Sequence, residues 1–318
     1  MGRMLVDHMT VAEGVQAVLG GTPTDTVADR LGLSPEDLDD AVSTYRTAGL
    51  TALQQRADSA WYEVRVQFRD WTATENAGAT VLGPALDQLI FQGSAVNWWF
   101  LRKYPCWRLR LLSADTAAVN STLDGLVDDR VIQRWWPTVY EPETAAFGGP
   151  ATMELVHDLF CADTVGALAY LREGSSEIGR RELSILLLNA TMRAAGLDAF
   201  EAGDVYHRVS QLRPPPANTD GGRVAKLTDQ LRGLVLPDIR GSELFAPGGS
   251  AERAATWLEE LSCHAARLGH AAAQGRLYRG LRAVLTHVVI FHWNRLGLSA
   301  TTQGVLAHAA HNALLPRS

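Results

Sequence analysis

Trp98-Trp99-Phe100-Leu101-Arg102-Lys103-Tyr104-Pro105-Cys106-Trp107-Arg108-Leu109-Arg110 reads as parts of two strands, over 96–101 and 107–113, joined by a turn at Pro105. Side chains alternate across a strand with period two, so Phe100 and Leu109 point into a core while Arg108 and Arg110 share the opposite face. Two guanidiniums on one face, flanked by Trp98, Trp99 and Trp107, form a place where forked donors grip a carboxylate or a peptide carbonyl. The alternative is a surface strand whose arginine stems cover apolar area while their heads pair with nearby acids.

The flanking segments extend this into a fold. Trp61-Tyr62-Glu63-Val64-Arg65-Val66-Gln67-Phe68-Arg69 alternates strictly after its first aromatic pair and predicts a strand. Residues 72–92 and 116–130 predict helices, and 132–140, with Trp135, Trp136 and Tyr140, is extended. The order β-α-β-β-α-β is that of the split βαβ, ferredoxin-like sheet. After Gly148-Gly149-Pro150 the pattern is helical: 150–173, 178–196, 200–213, 222–234, 250–277, 278–297 and 300–314, with loops at Pro214-Pro215-Pro216 and 237–250. Ahead of the sheet, Thr22-Pro23-Thr24 and Ser34-Pro35-Glu36-Asp37 each open a helix, and Gly32 separates them. The expected fold is α+β: a small ferredoxin-like antiparallel sheet packed with a largely helical C-terminal half, plus an N-terminal helix-turn-helix-like segment. Its expected parts are residues 1–58 and 59–318.

Composition narrows the function. The 318 residues carry 47% hydrophobic and 20% charged side chains and a formal net charge of -6. A nucleic-acid partner held by a broad basic field is disfavoured, and Glu36-Asp37-Leu38-Asp39-Asp40 would set like charge against phosphates. Cys106, Cys161 and Cys263 are widely spaced, so neither a disulfide framework nor a zinc knuckle is indicated, and no metal is expected. The sequence shows no signal peptide and no apolar run of membrane-spanning length, so the expected location is the cytoplasm, with no membrane partner.

Two further stretches carry candidate chemistry. Tyr140-Glu141-Pro142-Glu143, followed by Phe147-Gly148-Gly149, sits where a strand breaks into a loop. Such a place positions a general acid or brings backbone N–H groups to a ligand. The other reading is that Glu141 or Glu143 merely orients Arg108 or Arg110. In the apolar helix 285–295, His292 and Arg295 fall on one face, suited to proton transfer beside an anionic group; a core or capping histidine is the alternative. His264, His270, His308 and His311 have no metal-site spacing, and no nucleotide-binding loop or serine-hydrolase elbow occurs.

These blocks in order resemble the C-terminal, SpaB-C-like domain of lantibiotic dehydratases, in its stand-alone thiopeptide-type bacteriocin biosynthesis form. The matching residues are Trp98 to Lys103 with Trp107 to Arg110, Tyr140 to Glu143 with Phe147-Gly148-Gly149, and Gly179-Arg180-Arg181-Glu182-Leu183-Ser184. The corner from Ala195 to Val205 and His292-Trp293-Asn294-Arg295-Leu296 complete the set, which spans roughly 60–315. The resemblance implies one of two chemistries on a ribosomally made precursor peptide held by its leader, without metal or organic cofactor. One is glutamate elimination from glutamylated Ser or Thr to leave a dehydroamino acid. The other is a formal [4+2] aza-cycloaddition of two dehydroalanines, followed by loss of water and leader to give a pyridine.

Eliminating members typically read Glu-Arg-Tyr-Gly-Gly where this chain has Ala145-Ala146-Phe147-Gly148-Gly149, so the arginine that would hold the departing glutamate is Ala146 here. Losing a forked donor for an anionic leaving group turns the expectation toward the pyridine synthase, with elimination as the alternative should Arg134 or another arginine substitute. Under cycloaddition, the resemblance implies His292 as proton shuttle with Tyr140 or Glu141 as partner. Arg102, Arg108, Arg110 and Arg295 would bind substrate, and Trp98, Trp99 and Trp107 would line a channel for azole rings. Residues 1–58 are a candidate dock for the leader or for other enzymes of the pathway. A third reading is a non-catalytic leader-binding scaffold.

Overall fold

Capping chemistry sets the first helices of the computed structural model, which describes residues 8–58, 60–173 and 178–315. These are α1 (His8–Leu19), α2 (Thr24–Leu31) and α3 (Pro35–Asp58). Gly32 closes α2 in the left-handed conformation, φ 67°, and its N–H donates to the Ala28 carbonyl. Val15, Val27, Ala28, Leu38 and Val42 form the core of this unit, residues 1–59.

The second unit, residues 60–318, holds the sheet. Its first half runs β1 (Trp61–Phe68), α4 (Thr74–Ala77), a π-helical turn at Gly78–Leu82, α5 (Gly83–Phe91), β2 (Asn97–Lys103), β3 (Cys106–Leu112), α6 (Thr116–Asp128) and β4 (Ile132–Thr138). The strands are antiparallel in the order β2-β3-β1-β4, the split βαβ arrangement expected from the element order. One sheet face buries Val64, Val66, Phe68, Trp98, Phe100, Trp107, Leu109 and Leu111 against Leu82 and Leu86, at the junction of the π turn and α5, and against Val119 and Leu123 of α6.

The opposite face starts a second and larger core. Trp99 and Leu101 of β2 pack there with residues of seven helices: α7 (Pro150–Glu173), α8 (Arg180–Ala194), α9 (Ala199–Leu212), α10 (Gly221–Val235), α11 (Ala255–Ala273), α12 (Leu281–Arg295) and α13 (Ala300–Leu314). The helix expected over 250–277 is shorter than its pattern: a 3₁₀ turn at Glu252–Ala254 precedes it, and the α-helix ends at Ala273. The corner at Asp198 is a capping box with Glu201, so its acids serve the helix start.

Candidate functional site

Asp163 of α7 is fully buried, and a lone carboxylate in that position must find partners or lose its charge. Its partners come from two other helices. His292 Nδ1 donates to Oδ1 at 2.8 Å and Trp257 Nε1 of α11 at 3.1 Å, while Arg295 Nη1 donates to Oδ2. His292 and Arg295 reach the same carboxylate because they stand three apart on α12. Burial opposes the Asp163 charge, but His292 and Arg295 outweigh it and hold the carboxyl below the usual carboxylate range. An ionised carboxylate only accepts, so Nδ1 of His292 is the donor. Nε2 is left buried and without a partner among the described residues.

Trp99 joins this cluster to the sheet. The Arg110 guanidinium lies 4.2 Å from the Trp99 ring centre and 4.7 Å from that of Tyr140. The Arg295 guanidinium lies 5.6 Å from Trp99 and 4.4 Å from Phe160. Arg110 Nε donates to Glu63 Oε2 at 2.7 Å, and the Thr138 hydroxyl donates to Glu63 Oε1 at 2.7 Å. Each buried arginine therefore has its own carboxylate. Arg110 Nη1, Arg295 Nε and Nη2 and Trp99 Nε1 are buried donors with no acceptor among the described residues.

Tyr140 Oη and His157 Nε2 are 2.7 Å apart, a hydrogen bond whose direction follows the imidazole tautomer. Burial, then the Arg110 charge, pushes His157 down to about 4, so it is neutral near pH 7. Arg110, Arg295 and Tyr140 thus surround the Trp99 indole, and Arg295 and His292 share the Asp163 carboxylate.

The remaining expected residues lie elsewhere. Trp98 and Trp107 face the opposite layer, since neighbours in a strand alternate. Trp98 Nε1 donates to Asp87, and Trp107 stacks on Phe100 at 4.4 Å. The three indoles expected to line one channel therefore lie on two faces of the sheet, Trp99 on one and Trp98 with Trp107 on the other, a correction that follows from the pleat. Arg102 donates to Glu75 at 2.6 Å, and Glu75 also holds Arg180, which donates to the Leu296 carbonyl, so Arg102 belongs to a tie between α4, β2 and the end of α12. Glu141 is exposed, and Glu143 rather than Glu141 acts on the charge of Arg108. Arg108 is half-buried directly opposite Arg65, and burial followed by the like charge of Arg65 pulls its proton affinity down. At Gly148 and Gly149, the Tyr278 N–H donates to the Gly148 carbonyl, and the Tyr278 ring lies beside Gly149, φ 105°.

Four partners were not singled out in the sequence: Asp163, Glu63, His157 and Trp257. Asp163 does carry a signal, a single acid inside the apolar run from Leu159 to Leu171, where only a paired charge is tolerated. No group of three His, Cys, Asp or Glu among the described residues is placed to hold a metal ion, and no described helix is long and apolar enough to cross a membrane.

A search of curated proteins finds no significant match. Solved structures share the fold at low identity. The tRNA dependent lantibiotic dehydratase MibB from Microbispora sp. 107891 aligns with 79% of this chain at 18% identity and TM-score 0.58. The chain spans only 28% of MibB. TsrL aligns with 80% of the chain and 93% of its own length at 19% identity and TM-score 0.57. TbtD, the pyridine synthase from thiomuracin biosynthesis, aligns with 80% of the chain and 97% of its own at 15% identity and TM-score 0.56. Residues 61–314, nearly the whole second unit, match the family described as lantibiotic biosynthesis dehydratase C-term, and the chain belongs to that family.

Proposed function

We propose that this protein is a pyridine synthase of thiopeptide biosynthesis. In this reading it joins two dehydroalanines of a ribosomally made peptide by a formal [4+2] aza-cycloaddition, then expels water and the leader peptide. The observation that carries the choice of reaction is the pairing of charges around His292. Arg295 holds Asp163 and Arg110 holds Glu63, so neither of the two buried arginines waits for a glutamate leaving group. What they offer instead are buried N–H donors without acceptors, which suit a neutral amide carbonyl.

Cycloaddition needs one backbone amide to become its iminol, so a proton must leave nitrogen and arrive on oxygen. His292, oriented through Nδ1 by Asp163, presents Nε2 for that transfer. Tyr140, bonded to neutral His157 and lying under Arg110, is its proton partner in this scheme. Arg110 and Arg295 polarise carbonyl oxygens, and Trp99 provides a flat apolar surface for azole rings. No step in this scheme requires a cofactor. The N-terminal unit is assigned to docking the leader or a partner enzyme, with the reaction taking place in the cytoplasm.

One observation favours the alternative, glutamate elimination. Arg65 and Arg108 stand side by side on the sheet, and neither forms an ion pair among the described residues. A glutamyl carboxylate would fit between them. Mass spectrometry of two incubations separates the reactions. Loss of water with leader release from a dehydrated, azole-bearing precursor supports the synthase. Loss of glutamate from a glutamylated precursor, with the first substrate unchanged, overturns it.

A further inference from the structure

His292, Arg295 and Asp163 are at most 2% exposed, so a substrate must approach them from an adjoining space. A cavity of about 820 Å³ lies next to them, bounded by α7, α11 and the segment 249–254. That volume falls within the range of small-molecule and cofactor sites, about 300–1,000 Å³. Trp257 lines the cavity, and its indole N–H donates to Asp163 while its ring centre stands 5.6 Å from that of His292. One side chain thus connects the cavity to the buried cluster and to the unpartnered Nε2 of His292. Gly166 makes that seat: a Cβ there would fall 2.1 Å from the Trp257 ring.

The chemistry of the walls selects the occupant. Cys161, Ala162, Val165 and Ala169 supply apolar surface along α7, and Val165 is 62% exposed. Four carboxylates line the same space. Asp158 is paired with Arg267 at 2.9 Å and Glu173 with Arg253 at 3.4 Å. Glu260 has only His264, 3.7 Å away, whose proton affinity burial lowers, so that imidazole is uncharged near neutrality. Glu252 accepts the Gly248 N–H and has no cationic partner among the described residues. Two negative charges therefore remain uncompensated beside an apolar wall.

We propose that this cavity binds an apolar peptide segment of neutral or positive charge, and that it is the chamber from which the substrate reaches His292 past Trp257. The proposal rests on the pyridine-synthase reading for the identity of the reacting segment, while the binding itself requires no turnover. Glutamylated side chains are repelled from such a chamber, whereas dehydrated and azole-bearing segments are not.

Binding of two dansylated tripeptide amides to the full chain, followed by fluorescence anisotropy at low salt, tests it. The probes are dansyl-Phe-Lys-Phe-amide and dansyl-Phe-Glu-Phe-amide. The lysine probe is expected to bind at least tenfold more tightly than the glutamate probe. Glu252→Gln with Glu260→Gln should reduce that preference to threefold or less, since it removes the two uncompensated charges. Val165→Trp, which fills the space from an exposed position, should weaken both probes at least tenfold. Equal affinity of the two probes, no binding of either, or undiminished binding to Val165→Trp would overturn the assignment. If the lysine probe binds as expected but the dehydrated precursor is not cyclised, the cavity stands and the proposed reaction falls.

Discussion

Replacing Asp163 by Asn removes one charge from the centre of the second unit and leaves Arg295, fully buried, without its carboxylate. Arginine cannot shed its proton to escape, and removing one partner of a buried ion pair costs about 3–5 kcal/mol. That is a large part of the roughly 5–15 kcal/mol that holds a typical domain folded. Urea unfolding followed by tryptophan fluorescence measures it cleanly, because all nine Trp lie at or beyond position 61 and the signal reports on the second unit alone. The pH dependence provides a second readout. The folded-state Asp163 carboxyl is held below the usual range, so the unfolded chain takes up its proton first as pH falls. The wild-type advantage is therefore full above the unfolded value, about 3.9, and is lost as pH falls through the lower folded value. The gap between wild type and Asp163→Asn should stay constant from pH 8 to 5 and shrink below about pH 4. A loss under about 1 kcal/mol at pH 7, or an unchanged gap at pH 3, would refute the pairing.

Other measurements probe the remaining parts of the site. His157 is neutral in the fold with its value near 4 against 6.5 ordinarily, so the unfolded chain binds the extra proton between those pH values and stability should fall by about 3 kcal/mol on acidification; His157→Asn should flatten that slope, and an identical slope in the variant would exclude this cause. Arg110→Met strands the buried Glu63 and should cost about 3–5 kcal/mol in the same urea assay. His292→Ala should lower product formation on the dehydrated precursor by about 10²-fold or more while leaving far-ultraviolet circular dichroism unchanged; retained turnover would remove the proton shuttle from the scheme. Cys263 is exposed while Cys106 and Cys161 are buried, so Ellman titration of the native chain should count one thiol, rising to three in guanidinium.

Local rules carried most of the fold. Strand alternation from Trp61 and around Pro105, proline at helix starts and glycine after helix ends each depend on neighbours in the chain, so the order of strands and helices was legible. The same period placed Arg108 and Arg110 on one face. It also separates Trp98 from Trp99 and Trp107 from Arg108, a consequence of the pleat that the grouping of three indoles ignored. The spacing of His292 and Arg295 on one helix turn was equally readable.

The partners were not readable, because they are fixed by packing between distant elements. Asp163 meets Arg295 across 132 positions of the chain, and Glu63 meets Arg110 across 47. No periodicity encodes such a pairing; it forms because a charge buried between α7 and α12 is stable only beside its opposite. The sequence by itself determined which elements form, the face on which each arginine and histidine stands, and the family to which the chain's motifs point. The tertiary structure alone decided that Trp99, not Trp98 or Trp107, joins the arginines, that Asp163 orients His292, and that a cavity lies behind Trp257. Those features arise where three or more elements meet, and burial there makes every polar group depend on neighbours that sequence distance conceals.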